Sequence, residues 1–352
     1  MEKVMSRKLI PISTIMTLMS TSVMADVPNV AADIAPIHSL VSKVMDGVGE
    51  PKLVIQSGAS PHGYRLRPSE AKALQDANLI FWMGEELTPW LDGAIDTLAS
   101  NATVTSLLDQ EGVLLHDFRE GALFEAHDHS AHDDHDDHDD HDDHDDHKDH
   151  DDHDDHDDHD DHDDHDDHDD HKDHDDHDDH GHGAHDPHAW LSPENAKLWL
   201  NIIASKLSVA DPENAASYFT NAAAGQAEIE DMVAEVSATL KPVQGGKFVV
   251  FHDAYQYFEN DFDFYASGAI SLGDASDPSP ARIAEIQRRI QEEGIQCVLA
   301  EPQYKKGLVA TVMEGSEATA SVIDPLGADI KPGPKLYTQL IKNMAKTLRD
   351  CL

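Results

Sequence analysis

From His132 to His180 the chain runs for 49 residues without one apolar side chain, and this run divides everything that can fold from what cannot. A histidine stands at every third position, with Asp pairs between them and Lys replacing one Asp at 148 and at 172. Such a segment has nothing to bury, so it cannot offset the entropy of ordering its own backbone. Adjacent like charges also oppose a regular helix. A period of three is too short for a solenoid unit, which makes the run low complexity rather than a repeat fold. The expectation is a His/Asp-rich insertion, disordered without metal and bounded near 117–187, with all packed structure on either side of it.

Charge gives the same division. The chain has 352 residues and a formal charge of −45. Between His127 and Pro187 there are 32 Asp against two Lys, so −30 belongs to this stretch and −15 to the rest. The remainder is an ordinary acidic protein, long enough for one large or two medium domains. A basic surface for nucleic acid or anionic lipid is absent, and nucleic-acid binding is excluded as a function class.

Residues 1–25 read as a secretory signal. Lys3, Arg7 and Lys8 precede a mostly apolar stretch from Leu9 to Met19, and Val23-Met24-Ala25 suits a peptidase cutting after Ala25. A retained anchor would need about 20 apolar residues, and this stretch is shorter and broken by Pro11. The two cysteines, Cys297 and Cys351, both lie far from that point, so no lipid-attachable cysteine follows the signal. A soluble protein held between two membranes is expected. In such an oxidising compartment the two cysteines can pair, closing a loop of about 55 residues with a stabilisation of about 4 kcal/mol in the chain-entropy model. The other reading is two buried free thiols.

Short apolar runs alternate with amphipathic stretches. Strands are predicted at 29–32, 52–56, 79–83 and 103–106, and again at 247–251, 296–300 and 320–323. Helices are predicted at 36–46, 68–76, 89–98, 254–260, 280–293, 306–314 and 335–349. This alternation implies βαβ units: an α/β fold of two lobes, each a mainly parallel sheet flanked by helices. Ser192-Pro193 and Ser279-Pro280 have the serine N-cap and first-turn proline of helix starts. Between the halves, 193–206 and 212–240 read as almost wholly helical, with Gly225 the weak point of the second. The predicted plan is a lobe over 26–210, a long rigid joining helix over 211–241, and a second lobe over 242–352.

Neutral imidazole is a good zinc ligand, and His-rich tracts are a metal-binding composition. The repeat offers many overlapping, interchangeable sites at His132, His135, His138, His141, His144, His147, His150, His153, His156, His159, His162, His165, His168, His171, His174, His177 and His180. The bland reading is an acidic solubilising tract, but Asp and Glu alone would serve that purpose. Zinc, copper and nickel would all bind there, and affinity order by itself favours copper. Specificity must come from a preorganised site, for which four positions stand out. His62 lies in Ser60-Pro61-His62-Gly63-Tyr64, after a strand. His188 lies in Asp186-Pro187-His188-Ala189-Trp190, before a capped helix. His252 and Asp324 each lie at a strand end, in Phe251-His252-Asp253 and Ile323-Asp324-Pro325. The ends of parallel strands are the usual ligand crevice of open α/β sheets. Each residue also has a structural reading, and Asp324 before proline is a turn former. His38 and His116 are expected to be structural. Tyr64, Trp190 and Tyr255 either shield the site or pack in the core.

The segments GASPHGYRLRPSEAKAL, DPHAWLSPENA, FHDAYQYFE, AEPQ and IDPLG, in this order and with the His/Asp-rich insertion between the first two, resemble the ZnuA family of zinc-specific solute-binding proteins of bacterial ABC transporters. The resemblance implies two α/β lobes joined by a long helix, with zinc held in the cleft by His62, His188 and His252. It implies an ABC permease as partner, with a periplasmic zinc chaperone as a further candidate, and a monomeric, non-enzymatic protein. Several family members have an acidic residue just before the first histidine; here it is Pro61. The fourth place would fall to water, Asp324 or a histidine of the insertion. Manganese binders of similar fold use two histidines and two carboxylates, whereas three imidazoles favour zinc over oxygen-preferring manganese. The rivals are a periplasmic buffer for zinc, nickel or copper without a transporter, and a zinc hydrolase. For the latter no HExxH segment is present.

Overall fold

The computed structural model describes residues 27–119, 185–271, 278–304 and 306–352. The predicted signal segment and the histidine repeat lie outside the described residues. Among those described, no helix is long and apolar enough to cross a membrane.

The first sheet is built from β1 (Val30–Ala32), β2 (Lys52–Leu53), β3 (Leu79–Trp82) and β4 (Thr103–Ser106), linked by α1 (Ala35–Val44), α2 (Pro68–Asp76) and α3 (Pro89–Leu98). Its strands lie in the order β2-β1-β3-β4, all parallel. The second sheet repeats this plan with β5 (Phe248–His252), β6 (Ala269–Ser271), β7 (Cys297–Ala300) and β8 (Thr319–Val322), in the order β6-β5-β7-β8 and again parallel. Its helices are α6 (Gln256–Phe262), α7 (Pro280–Glu293), α8 (Lys306–Val312) and α9 (Leu336–Cys351). The expected α/β fold is present, with two parallel sheets. In each, the chain steps first to one side of the initial strand and then to the other. This creates a switch point at the carboxyl ends of β1/β3 and of β5/β7, where open α/β sheets bind ligands.

Burial on both faces explains why these strands read as apolar runs rather than as alternations. Along β5, Phe248 and Val250 point into the core shared with α9, while Val249 and Phe251 join Ile286, Ile290, Val309 and Val312 under α7 and α8. The two-residue side-chain period of a strand thus feeds two cores. Cys297 at the start of β7 and Cys351 at the end of α9 are joined by a disulfide, with Cα atoms 5.7 Å apart.

Between the sheets, α4 (Pro193–Ala210) and α5 (Ala215–Leu240) form an antiparallel pair. Helix α4 starts at the predicted serine, whose Oγ accepts the Asn195 N–H at 3.3 Å, with Pro193 in the first turn. Ser279 does the same for Arg282 at the start of α7. Helix α5 runs 26 residues, about 39 Å, and packs on α4, α1 and α9, so it touches elements of both halves. Gly225 does not interrupt it. A Cβ there would lie 2.9 Å from Leu200 Cδ1 and 3.1 Å from Lys43 Cγ, so glycine permits the close approach of α5 to α4 and α1.

Beyond shifts of one to four residues at element ends, three features differ from those predicted. The strand expected over 52–56 pairs with β1 only through Lys52 and Leu53 before turning away. β6, three residues that follow Gly268, was not expected from the sequence. The insertion expected at 117–187 is narrower: Asp117 and His185 form an antiparallel bridge, and Asp186 N–H donates to the His116 carbonyl at 2.8 Å.

Candidate metal centre

The candidate residues arrive from separate elements. His252 is the last residue of β5, at the switch point of the second sheet, and is 3 % exposed. His188 precedes a single 3-10 turn, Ala189–Leu191, that leads into α4, and it too is buried. His62 lies in the loop between β2 and α2 and is half-buried. That loop is pinned on both sides of the histidine. Trp90 Nε1–H donates to the Pro61 carbonyl at 2.7 Å, and the Tyr64 hydroxyl donates to Glu70 Oε1 at 2.9 Å.

These three rings converge. Their centroids lie 5.1 Å apart for His188 and His252, 5.4 Å for His62 and His188, and 6.0 Å for His62 and His252. Their ligand atoms fall within 4.8 Å of one another, the one such group of three or more His, Cys, Asp or Glu side chains among the described residues.

Two buried carboxylates orient the rings. His188 Nδ1 lies 2.7 Å from Asp186 Oδ1, and His252 Nδ1 lies 2.7 Å from Glu301 Oε1. Each carboxylate is acceptor-only when ionised, which assigns the ring proton to Nδ1 and directs the Nε2 lone pair inward. The two Nε2 atoms then face each other at 3.2 Å. Two lone pairs at this distance repel in the absence of a cation. With zinc–nitrogen bonds of about 2.0–2.1 Å, two ligands of a tetrahedron stand about 3.4 Å apart, which this pair nearly matches. Trp190, with its ring centroid 5.2 Å from that of His188, walls the site, and its Nε1–H donates to the Pro325 carbonyl across the cleft at 2.8 Å. Ser60, Gln303, Tyr304 and Leu326 complete the lining.

Asp324 stands apart from the group of three. Its carboxylate accepts the N–H groups of Leu326 and Gly327 at 2.9 Å each and of Ala328 at 2.5 Å, the turn-forming role available to any Asp-Pro. Burial pushes its pKa up, and these backbone donors draw it part of the way back. His38 is structural, with Nε2 3.2 Å from the Pro51 carbonyl. Tyr255 packs in the core and Tyr64 lies against Trp90, while Trp190 does both things considered for it, filling the core and walling the site. The orienting carboxylates were not singled out in the sequence. Asp186 had a readable signal, two positions before His188. Glu301 is 49 residues from His252 and becomes its neighbour only because β7 pairs with β5.

Known proteins resemble this chain over most of its length. The sequence model of ZnuA, zinc-uptake complex component A, periplasmic, matches residues 30–351. The chain is 48 % identical over 323 residues to the high-affinity zinc uptake system protein ZnuA of Brucella abortus (strain 2308), covering 92 % of this chain and 91 % of the relative. It is 45 % identical over 329 residues to the protein of the same name from Paracoccus denitrificans (strain Pd 1222), covering 93 % of each. Among solved structures, a crystal structure of ZnuA superposes with a TM-score of 0.67 at 19 % identity, covering 93 % of this chain and 99 % of that one, a likeness of fold. The chain belongs to the ZnuA family.

Proposed function

We propose that this protein captures zinc in the periplasm through His62, His188 and His252 and delivers it to the membrane permease of an ABC transporter. The observation that carries the reading is the pair of buried imidazoles whose Nε2 atoms meet at 3.2 Å, each backed by a buried carboxylate. Such backing fixes the tautomer and makes the ring a better donor to a metal. Three imidazoles favour borderline zinc over manganese, which prefers oxygen ligands. With Asp324 committed to its own turn, water or an insertion histidine takes the fourth tetrahedral position. Delivery to a permease is supported by the relatives named for high-affinity zinc uptake. Export with cleavage after Ala25 belongs to the same reading.

The insertion gathers or buffers metal. Its histidines ligate only when unprotonated, so its capacity falls as pH drops through about 6.5.

Isothermal titration tests the assignment. Deleting residues 125–182, which leaves the Asp117–His185 pair intact, should keep one tight zinc site and remove several weaker ones. His62→Ala, His188→Ala and His252→Ala should each lose the tight site. Wild-type tight binding in all three would overturn it. Growth in zinc-poor medium separates a transport component, which is required there, from a buffer or hydrolase, which is dispensable.

A further inference from the structure

Both ends of the insertion are fastened to the second lobe, at the helix that follows the metal-bearing strand. Tyr257 is the first point of attachment. Its buried hydroxyl accepts the His116 N–H at 3.1 Å and donates to the Asp186 carbonyl at 2.7 Å, so one oxygen bridges the outgoing and returning strands. The neighbouring Gln256 amide, turned so that its nitrogen faces the root, donates to the Asp117 carbonyl at 3.2 Å and to Asp186 Oδ2 at 3.3 Å. Arg119 is the second point. Its guanidinium bonds both carboxylate oxygens of Asp253, Nε lying 3.0 Å from Oδ2, and its Nη1 donates to Glu259 Oε2 at 2.6 Å.

These contacts lie one hydrogen bond, at Asp186, and one peptide bond, at Asp253, from the metal centre. Asp186, held by Tyr257 and Gln256, is the carboxylate that orients His188, and Asp253 is the residue after His252. Asp253 and Glu259 are both buried, and burial raises their pKa values, to about 7 for Glu259, against the pull of Arg119. A cation between two buried carboxylates costs desolvation and is weak evidence of stability by itself. It does fix geometry, because the planar fork of arginine admits few arrangements.

We propose that Tyr257 and Arg119 are positioning residues for zinc: they clasp the two root strands of the insertion onto the second lobe and so hold His188 and His252 at ligand distance. The clasp rests on the reading of the three histidines as zinc ligands. Occupancy of the site is thereby coupled to how the root is held, and a metal passed from the insertion arrives at rings already aligned.

The test uses the full-length protein, with zinc affinity of the tight site measured by chelator competition and one equivalent of cobalt(II) as a visible-spectrum probe of ligand geometry. Tyr257→Phe removes one hydroxyl and keeps the ring. Arg119→Lys keeps the charge and loses the fork, avoiding the two unpaired buried carboxylates that Arg119→Ala would leave. Both should weaken zinc by about tenfold, as loss of groups supporting a ligand does, and both should alter the cobalt spectrum. His188→Ala is the control for the site itself. If it retains the tight site, the ligand assignment falls and the clasp with it. If it loses the site while Tyr257→Phe and Arg119→Lys bind as wild type does, only the clasp falls. Weaker binding with an unaltered cobalt spectrum also overturns it, because the contacts then stabilise the fold without placing the ligands.

Discussion

Glu301 does for His252 what Asp186 does for His188, and its neutral isostere isolates that contribution. Glu301→Gln can still accept the Nδ1–H through an amide oxygen in place of the carboxylate Oε1, which lies 2.7 Å from the ring nitrogen, but it removes the negative charge that strengthens the imidazole as a donor. The zinc dissociation constant should rise by about ten- to a hundredfold. Chelator competition measures this, and an unchanged constant would show that the buried carboxylate has no bearing on the metal. The histidines could be picked out in the sequence because each stands alone in a short motif at the edge of a predicted element, and the family resemblance chose between the ligand and structural readings of each. Their supporting carboxylates were less legible, Asp186 being marked only by its place two residues before His188. Asp and Glu are common in loops, and what distinguishes Asp186 and Glu301 is a ring nitrogen that only the folded chain brings within reach. Asp324 lies outside the group of three. It occupies a strand end of the right kind, yet three backbone donors hold its oxygens in the turn.

At the scale of elements, the α4–α5 pair depends on one glycine. Gly225 is buried, and the atoms nearest its missing Cβ are Leu200 Cδ1, Leu200 Cδ2 and Lys43 Cγ. Gly225→Val would gain some helix propensity but drive two methyl groups into the Leu200 side chain, and overpacking of this kind costs about 1–3 kcal/mol. Urea unfolding of the zinc-free protein should show an unfolding free energy lowered by that amount, through a lower midpoint with little change in the slope. A stability equal to wild type would mean that α4 and α1 give way freely. Sequence alone marks Gly225 as a weak helix residue, since propensity is a local property. Its role is set by what faces it, and Leu200 and Lys43 come from two other helices. Most of the remaining elements were legible because parallel strands are short apolar runs and because α2, α3, α4 and α7 begin at a proline. β6 and the end of β2 were not, since a strand of two or three residues is defined by its partner rather than by its own pattern.

Across the whole molecule, the two halves are tied together at more than the joining helix. The Ser39 hydroxyl on α1 donates to the Gly333 carbonyl at 2.8 Å and accepts the Tyr337 N–H at 3.0 Å. The Tyr337 hydroxyl lies 3.0 Å from the Trp190 carbonyl and 3.2 Å from that of Ser192, while Trp190 reaches Pro325. A single apolar core also runs from β1 and α1 through α4 and α5 to α9. A wide hinge opening would break these buried bonds and expose that core, at a cost no small ligand offsets. The expectation is that zinc leaves through local movement: of the His62 loop, held at Pro61 by one Trp90 hydrogen bond, and of the root strands. Small-angle scattering on a variant lacking residues 125–182 should therefore give the same radius of gyration with and without zinc, within about 1 Å. Hydrogen exchange in the same variant should show zinc slowing amides near residues 58–66 and 116–119 while leaving α5 unchanged. A contraction of several ångströms on zinc binding, with protection spreading along α5, would mean that the halves do move as hinged bodies and that the buried contacts between them form only in the loaded state.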